Sequence, residues 1–244
     1  MLNMRLVALL LSTLPALSSA GAMGPMPSGC DTTFFAGGAA GVGMLQGNYE
    51  AFDQLNTDYR YARMGNDNFL GGALFGVQTV MPNSVYLALV GNALYNSQSA
   101  TQFLSTGPTT APLRNHVVSL LNNFQFGANI RLGMKMNNVT PYILGGAEAG
   151  TWEMGLANRS ATWTRGIAPN SDIQYKKTLI GGQAGAGALI DLNPFWSIGM
   201  EYAHSWLSHI SSNLLDQTTL HFWRHKAVVN QDQILFSVNY KFSL

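Results

Sequence analysis

Side chains able to do chemistry are scarce in these 244 residues, which include five histidines and one cysteine. Nucleophilic catalysis needs a base within hydrogen-bond reach of a hydroxyl or thiol. His204-Ser205 and Ser208-His209 bring those residue types together. On a β-strand, however, neighbours in sequence point to opposite faces, so neither pair meets. His204 and Ser208 share a face but stand ~13 Å apart, at ~3.3 Å per residue. No catalytic residue is expected, and His204 and Trp206 read as members of an outer interfacial belt. His116, His221 and His225 are scattered, with Asp216 the one further ligand near the last two. Zinc sites draw on closely spaced ligands, so neither a metal nor a cofactor is expected.

The other candidates are charges set among apolar neighbours. Arg131, Glu148 and Glu201 each fall on the polar side of an alternating segment, as do Gln125, Asn129 and Gln183. Asn123 is assigned to the same side. Such residues act together only if a scaffold turns them toward one interior, and the composition indicates which scaffold. Only 10% of residues are charged, against about 25% in soluble domains, while 47% are hydrophobic and 11% aromatic. Mean hydropathy is +0.07. After the first twenty residues there is no apolar run near the ~20 residues of a membrane helix. A net charge of +1 gives no basic footprint for nucleic acid. Few charges without a long apolar run fit a transmembrane β-barrel, whose strands alternate between lipid-facing and lumen-facing residues.

Residues 1–20 read as a signal peptide, with Arg5, the apolar core Leu6–Leu11, Pro15, and small residues at Ser18, Ser19 and Ala20. Cleavage is expected after Ala20, with Ala22 as the alternative. Residues 21–31 read as a periplasmic lead-in and 32–244 as the barrel. The single Cys30 excludes an internal disulfide. Ser28-Gly29-Cys30 has the outline of an acylation site, but Pro27 stands where a Leu-like residue is wanted.

Eight alternating segments follow. Val117–Lys135 places Val118, Leu120, Phe124, Phe126 and Ile130 on one parity; Trp196–Leu207 and Gln233–Phe242 are equally regular. Glycine-rich versions span Thr33–Leu45, Asn68–Thr79, Val85–Asn96, Pro141–Met154 and Tyr175–Leu192. Short links with Asn and Pro turn chemistry at Val80–Ser84, Met136–Thr140 and Asp191–Phe195 alternate with long links at Gln46–Asp67, Ser97–His116, Gly155–Gln174 and Ser208–Asn230. The expected fold is all-β: an eight-stranded antiparallel up-and-down transmembrane β-barrel with short periplasmic turns and four long extracellular loops. Two girdles of aromatics fit it: Tyr142, Trp196 and Tyr240 near the short turns, and Tyr95, Trp152, Tyr202 and Trp206 near the long loops.

With its signal peptide, glycine-rich first strand Phe34–Gly43 and terminal Tyr240-Lys241-Phe242, the chain resembles the small outer-membrane barrel family. That family includes the membrane domain of outer membrane protein A and the opacity-type surface antigens. The resemblance implies the cell outer membrane of a Gram-negative bacterium, with outer-membrane lipids and lipopolysaccharide as surroundings. It also implies an assembly signal read by the barrel-assembly machinery, here Phe236, Val238, Tyr240, Phe242 and Leu244. Leu244 departs from the aromatic residue with which such chains usually end. No soluble peptidoglycan-binding domain is expected after the last strand. Lipid-modifying enzymes share such barrels, but the outer-membrane lipid A deacylases place His and Ser two apart on a strand, a spacing lacking here.

The expected function is that of a non-enzymatic surface barrel, structural or adhesive. Its extracellular loops would contact a host or surface ligand through Tyr49, Tyr59, Arg60, Tyr61 and Arg63, residue types that dominate binding hot spots. A narrow porin-like channel for small solutes is the alternative. A periplasmic lipocalin-like carrier or a lipid-modifying enzyme comes behind both. Arg131, Glu148 and Glu201 are expected to form one polar plug centred on Arg131.

Overall fold

The computed structural model describes residues 31–53, 59–105, 112–158, 173–215 and 222–243. The expected signal peptide, Cys30, Asp216, His221 and Leu244 lie outside them. The strands are β1 (Asp31–Asp53), β2 (Tyr59–Val80), β3 (Val85–Ser105), β4 (Pro112–Met134), β5 (Val139–Asn158), β6 (Ile173–Asp191), β7 (Trp196–Leu207), β8 (Ile210–Leu215) and β9 (Phe222–Ser243). Each pairs antiparallel with its neighbour from β1 to β7, β7 pairs with β9, and β9 returns to β1, which closes the ring. β8 continues the wall position of β7 and pairs with the upper part of β9. The barrel therefore has eight wall positions, as the alternation predicts.

The three short turns fall where the Asn and Pro residues put them. Asn137 takes a left-handed φ of 56°, which Asn tolerates better than most residues. The Asn193 side chain accepts from the backbone amides of Phe195 and Trp196, both at 2.8 Å. Ser84, with φ 65°, closes the first turn through its amide and Met81 O at 2.9 Å.

The expected long loops are instead largely strand. β1 and β2 pair without a break up to Phe52 opposite Tyr59, and β4 and β5 up to His116 opposite Asn158. The cause is an inversion of the sidedness pattern part-way up the wall. In the lower half the outward residues are apolar, as with Phe34 and Val42 on β1, Phe75 on β2, Ile143 on β5 and Phe236 on β9. Above Val42 the outward residues of β1 are Gln46, Asn48 and Glu50, while Leu45, Tyr49 and Ala51 turn inward. β3 does the same with Ser97, Ser99 and Thr101 outside and Ala100 and Leu104 inside. The lower half is thus built for lipid and the upper half for water. Nine residues of β1 above Met44 rise roughly 20 Å beyond the lipid band, at ~3.3 Å per residue and a tilt near 40°.

In the upper half the ring divides in two. β2 and β3 are laddered from Leu70 to Val80, with one further pair at Tyr61 and Ser105. β6 and β7 are laddered only up to Gly181 opposite Leu207. Above those points β8-β9-β1-β2 form one sheet and β3-β4-β5-β6 another, facing each other like the halves of a β-sandwich. Leu45, Tyr49, Met64 and Ile210 of the first interdigitate with Leu120, Trp152, Met154 and Leu179 of the second in one apolar core.

Two irregularities set this up. Bulges shift the β3–β4 register between Tyr95 and Gln98 and the β4–β5 register between Asn122 and Gln125. The extra residue exchanges the faces of β4, so Val118, Leu120 and Asn122 point inward, as do Gln125, Asn129 and Arg131. The single lipid-facing parity expected along Val117–Lys135, apolar but for Asn122, therefore ends at the bulge. At the other seam β7 breaks at Ser208-His209. There Ser208 N donates to Ile180 O at 3.1 Å, and Lys177 Nζ to His209 O at 3.2 Å.

Candidate functional site: the filled lumen

Side chains fill the interior in layers. At the periplasmic mouth Asp191 bridges Lys241 (2.6 Å) and Lys135 (3.0 Å). Together with Gln78, Asn137 and Asn138 they line an open cavity of about 370 Å³. Above it Arg131 Nη2 pairs with Glu201 Oε2 at 2.7 Å. The Tyr142 hydroxyl donates to the same oxygen at 2.9 Å, and the guanidinium lies 4.9 Å from the Tyr142 ring centre. This cluster is walled by Phe35, Tyr86, Leu144 and Leu189. An amide layer with Glu148 follows, and the apolar core of the upper sandwich closes the interior above it.

The expected polar plug is thus two separate sites. Asn129 pairs in register with Gly146, while Glu148 lies across from Gly127, two positions higher than expected. Glu148 Oε2 accepts from Ser205 Oγ at 2.7 Å, Gln233 Nε2 at 3.3 Å and Gln183 Nε2 at 3.4 Å. Gln125 joins this network through Gln233 and Asn96, both at 3.0 Å. Asn129 is buried, and neither atom of its amide meets a protein partner. Asn123 is on the outer face, at the bulge, and takes no part in the interior.

The expected loop residues sit on strands. Tyr49 points into the sandwich core, where its hydroxyl meets His225 Nδ1 at 2.5 Å. Burial pushes the His225 imidazole down to about 4 and the Tyr49 phenol above its usual range. Both residues stand above the lipid band. Tyr59 and Tyr61, 6.4 Å apart between ring centres, extend an aromatic row from Phe52, which lies 4.8 Å from Tyr59. Tyr61 donates to Asn48 Oδ1 at 3.2 Å. Arg60 has the inward parity of Ala62 and Met64 and acts electrostatically on buried Tyr49, so it is not part of this outward row, whereas Arg63 is exposed. Two expected girdle members are interior residues: Tyr142 packs on Arg131, and Trp152 is 0% exposed in the sandwich core. Tyr95, Trp196, Tyr202 and Trp206 do face outward. Of the expected assembly signal, Phe236, Val238 and Phe242 face outward, and Tyr240 stacks edge-on against Trp196 and Phe242.

His204 and Ser205 diverge as adjacent strand residues must. Ser205 points inward to Glu148, while His204 Nδ1 bonds Asp232 Oδ1 on the outer wall at 2.7 Å. Tyr202 donates to that same oxygen and Gln46 Nε2 to the other, each at 2.7 Å. Among the described residues no group of three or more His, Cys, Asp and Glu is arranged to hold a metal ion.

The outer membrane protein β-barrel domain family model matches residues 6–242. The chain belongs to this family. It is accordingly an outer-membrane β-barrel. No curated protein matches its sequence. Among solved structures, the outer membrane protein OprG from Pseudomonas aeruginosa is similar at 11% identity and a TM-score of 0.51, covering 88% of this chain and 97% of that one. The attachment invasion locus protein Ail of Yersinia pestis gives 12% identity and a TM-score of 0.40, covering 85% and 98%. The outer membrane protease OmpT from Escherichia coli gives 9% identity and 0.44, covering 92% and 100%. At these identities the likeness is one of fold.

Tyr142 and Trp152 are the interior residues that the girdle reading places outside, and Tyr86 and Gln231 are interior residues it does not single out. Strand parity was the available signal. Tyr142 and Trp152 share even numbering with Glu148 on β5, and all three face inward.

Proposed function

We propose that this outer-membrane barrel is a non-enzymatic surface protein that works through its extracellular rim, as a structural or adhesive element. The observation that carries this reading is the apolar core that fills the interior just below the rim. A packed core of that kind leaves no wet path for solutes, so contact with the surroundings falls to the outer wall and its edge. The outward Phe52–Tyr59–Tyr61 row, with exposed Arg63 on the same face of β2, supplies an aromatic and basic patch for a surface ligand. Lipopolysaccharide surrounds the outward wall, and the barrel-assembly machinery inserts the chain through its final strand. In planar bilayers the refolded protein should give no steady conductance. Replacing Tyr59, Tyr61 and Arg63 together by Ser should reduce attachment of expressing cells to surfaces while leaving the barrel folded. Steady conductance of the wild type would transfer the assignment to a narrow channel.

A further inference from the structure

The amide layer around Glu148 holds a buried carboxyl with no cationic side chain paired to it among the described ion pairs. Three donors, Ser205 Oγ, Gln233 Nε2 and Gln183 Nε2, converge on one oxygen of Glu148. That is how neutral donors gather on an anionic carboxylate. The buried cations of the described lumen are engaged elsewhere, Arg131 with Glu201 and Lys241 with Asp191. Apolar side chains lie above the layer and alongside it, and a charge in such a medium is costly unless a counter-charge sits beside it.

The same layer contains oxygens with nothing to accept. Gln183 and Gln231, 4% and 0% exposed, each have a side-chain oxygen that meets no hydrogen-bond donor on the protein. Both stand directly across from Ser205, one on each neighbouring strand, so their amides flank the hydroxyl that binds Glu148. On either side of Glu148 the adjoining strands offer only glycine, Gly127 and Gly181. The space over Gly127 is taken by the Asn92 amide, a further neutral polar group of the layer.

We infer that this layer is a cation site, holding one dehydrated alkali-metal ion, Na⁺ or K⁺, between the Glu148 carboxylate and the amide oxygens of Gln183 and Gln231. Carboxylate and amide oxygens are ligands of hard cations. A single carboxylate matches a single positive charge, so the occupied site is neutral. A divalent ion would leave an excess positive charge in the apolar interior. The bound ion ties β5, β6 and β9 together at mid-height, a structural role that an ordinary surface ion pair does not have.

The test is urea unfolding of the full protein folded into phosphatidylcholine vesicles at neutral pH. Sodium, potassium or choline chloride supplies the salt at constant ionic strength, choline being too large for the site. The wild type unfolds at higher urea in Na⁺ or K⁺ than in choline. Above the dissociation constant, each tenfold rise in the bound ion increases the folding equilibrium constant about tenfold. The ion with the larger effect is the occupant. Glu148→Gln removes the difference between salts, and Gln183→Leu reads out the same loss if Glu148→Gln fails to fold. Equal wild-type midpoints in all three salts would overturn the site and leave Glu148 neutralised by a proton. An ion response undiminished in the variants would overturn it too.

Discussion

Arg131 on β4 and Glu201 on β7 meet across the lumen at 2.7 Å although their strands are not neighbours, and Tyr142 on β5 completes the cluster from between them. The pair ties opposite parts of the wall. Arg131→Ala leaves Glu201 buried without a cation, a loss of about 3–5 kcal/mol when one partner of a buried pair is removed. Heat-modifiable gel migration should show a lower melting point. Any increase in conductance should stay small, because the apolar core above is untouched. A large open current in this variant would show that the core does not seal.

Tyr49 and His225 give the upper wall a pH dependence. His225 is held neutral by burial, with its folded value near 4 against 6.5 for the free side chain. Between those values the unfolded chain binds a proton that the native one refuses, so stability falls as pH drops from about 6.5 to about 4. His225→Gln should flatten that part of the profile relative to the wild type, read as unfolding midpoint against pH. Parallel profiles would mean that the imidazole is not buried in the neutral state.

Phe126 faces lipid at mid-strand, 59% exposed on the barrel alone. A lysine there costs about 2–4 kcal/mol near the bilayer midplane, and Phe126→Lys should reduce the folded fraction in vesicles. Asn123→Lys should be tolerated, because residue 123 lies on the outer face at the upper edge of the lipid band, where an ammonium reaches headgroups. Equal folding yields would misplace the band.

Trp152 fills the middle of the sandwich core. Trp152→Ala should destabilise by about 3–5 kcal/mol while leaving membrane insertion intact, since the lower belt does not depend on it. Protease nicking of the exposed upper wall, with the membrane segment still protected, is the diagnostic outcome.

Strand number, short turns and the lipid-facing parities of β7 and β9 were legible because Trp196, Ile198, Met200, Val238 and Phe242 alternate cleanly with small or polar partners. The upper half was not. There Gln46, Asn48 and Glu50 look like loop residues unless Leu45, Tyr49 and Ala51 are known to be packing inward, and that depends on strands distant in sequence. The β4 bulge left one trace, since Val118 and Leu120 continue the parity of Phe124 and Phe126 and only polar Asn122 interrupts it, which by itself reads as a lone exception on an apolar face. Tyr142 and Trp152 follow the inward parity of Glu148 on β5 against the general preference of Tyr and Trp for membrane interfaces. The Arg131–Glu201 pairing was partly legible, in that both residues had the inward parity, but the register that parted Glu148 from them was not.

The two seams of the upper wall give the molecule a mechanical character. The belt within the lipid is a hoop, in which no strand can leave without breaking ladders on both sides. Above it the two sheets are leaves rising from a common ring. They are clasped across the seams by side-chain bonds such as Asn66 to Ser99 O and Lys177 to His209 O, and glued by the core between them. Parting the leaves breaks no rung of the hoop. The outer end of this barrel therefore has its own threshold for opening, set by apolar contact, while the inner end is set by hydrogen bonds in lipid.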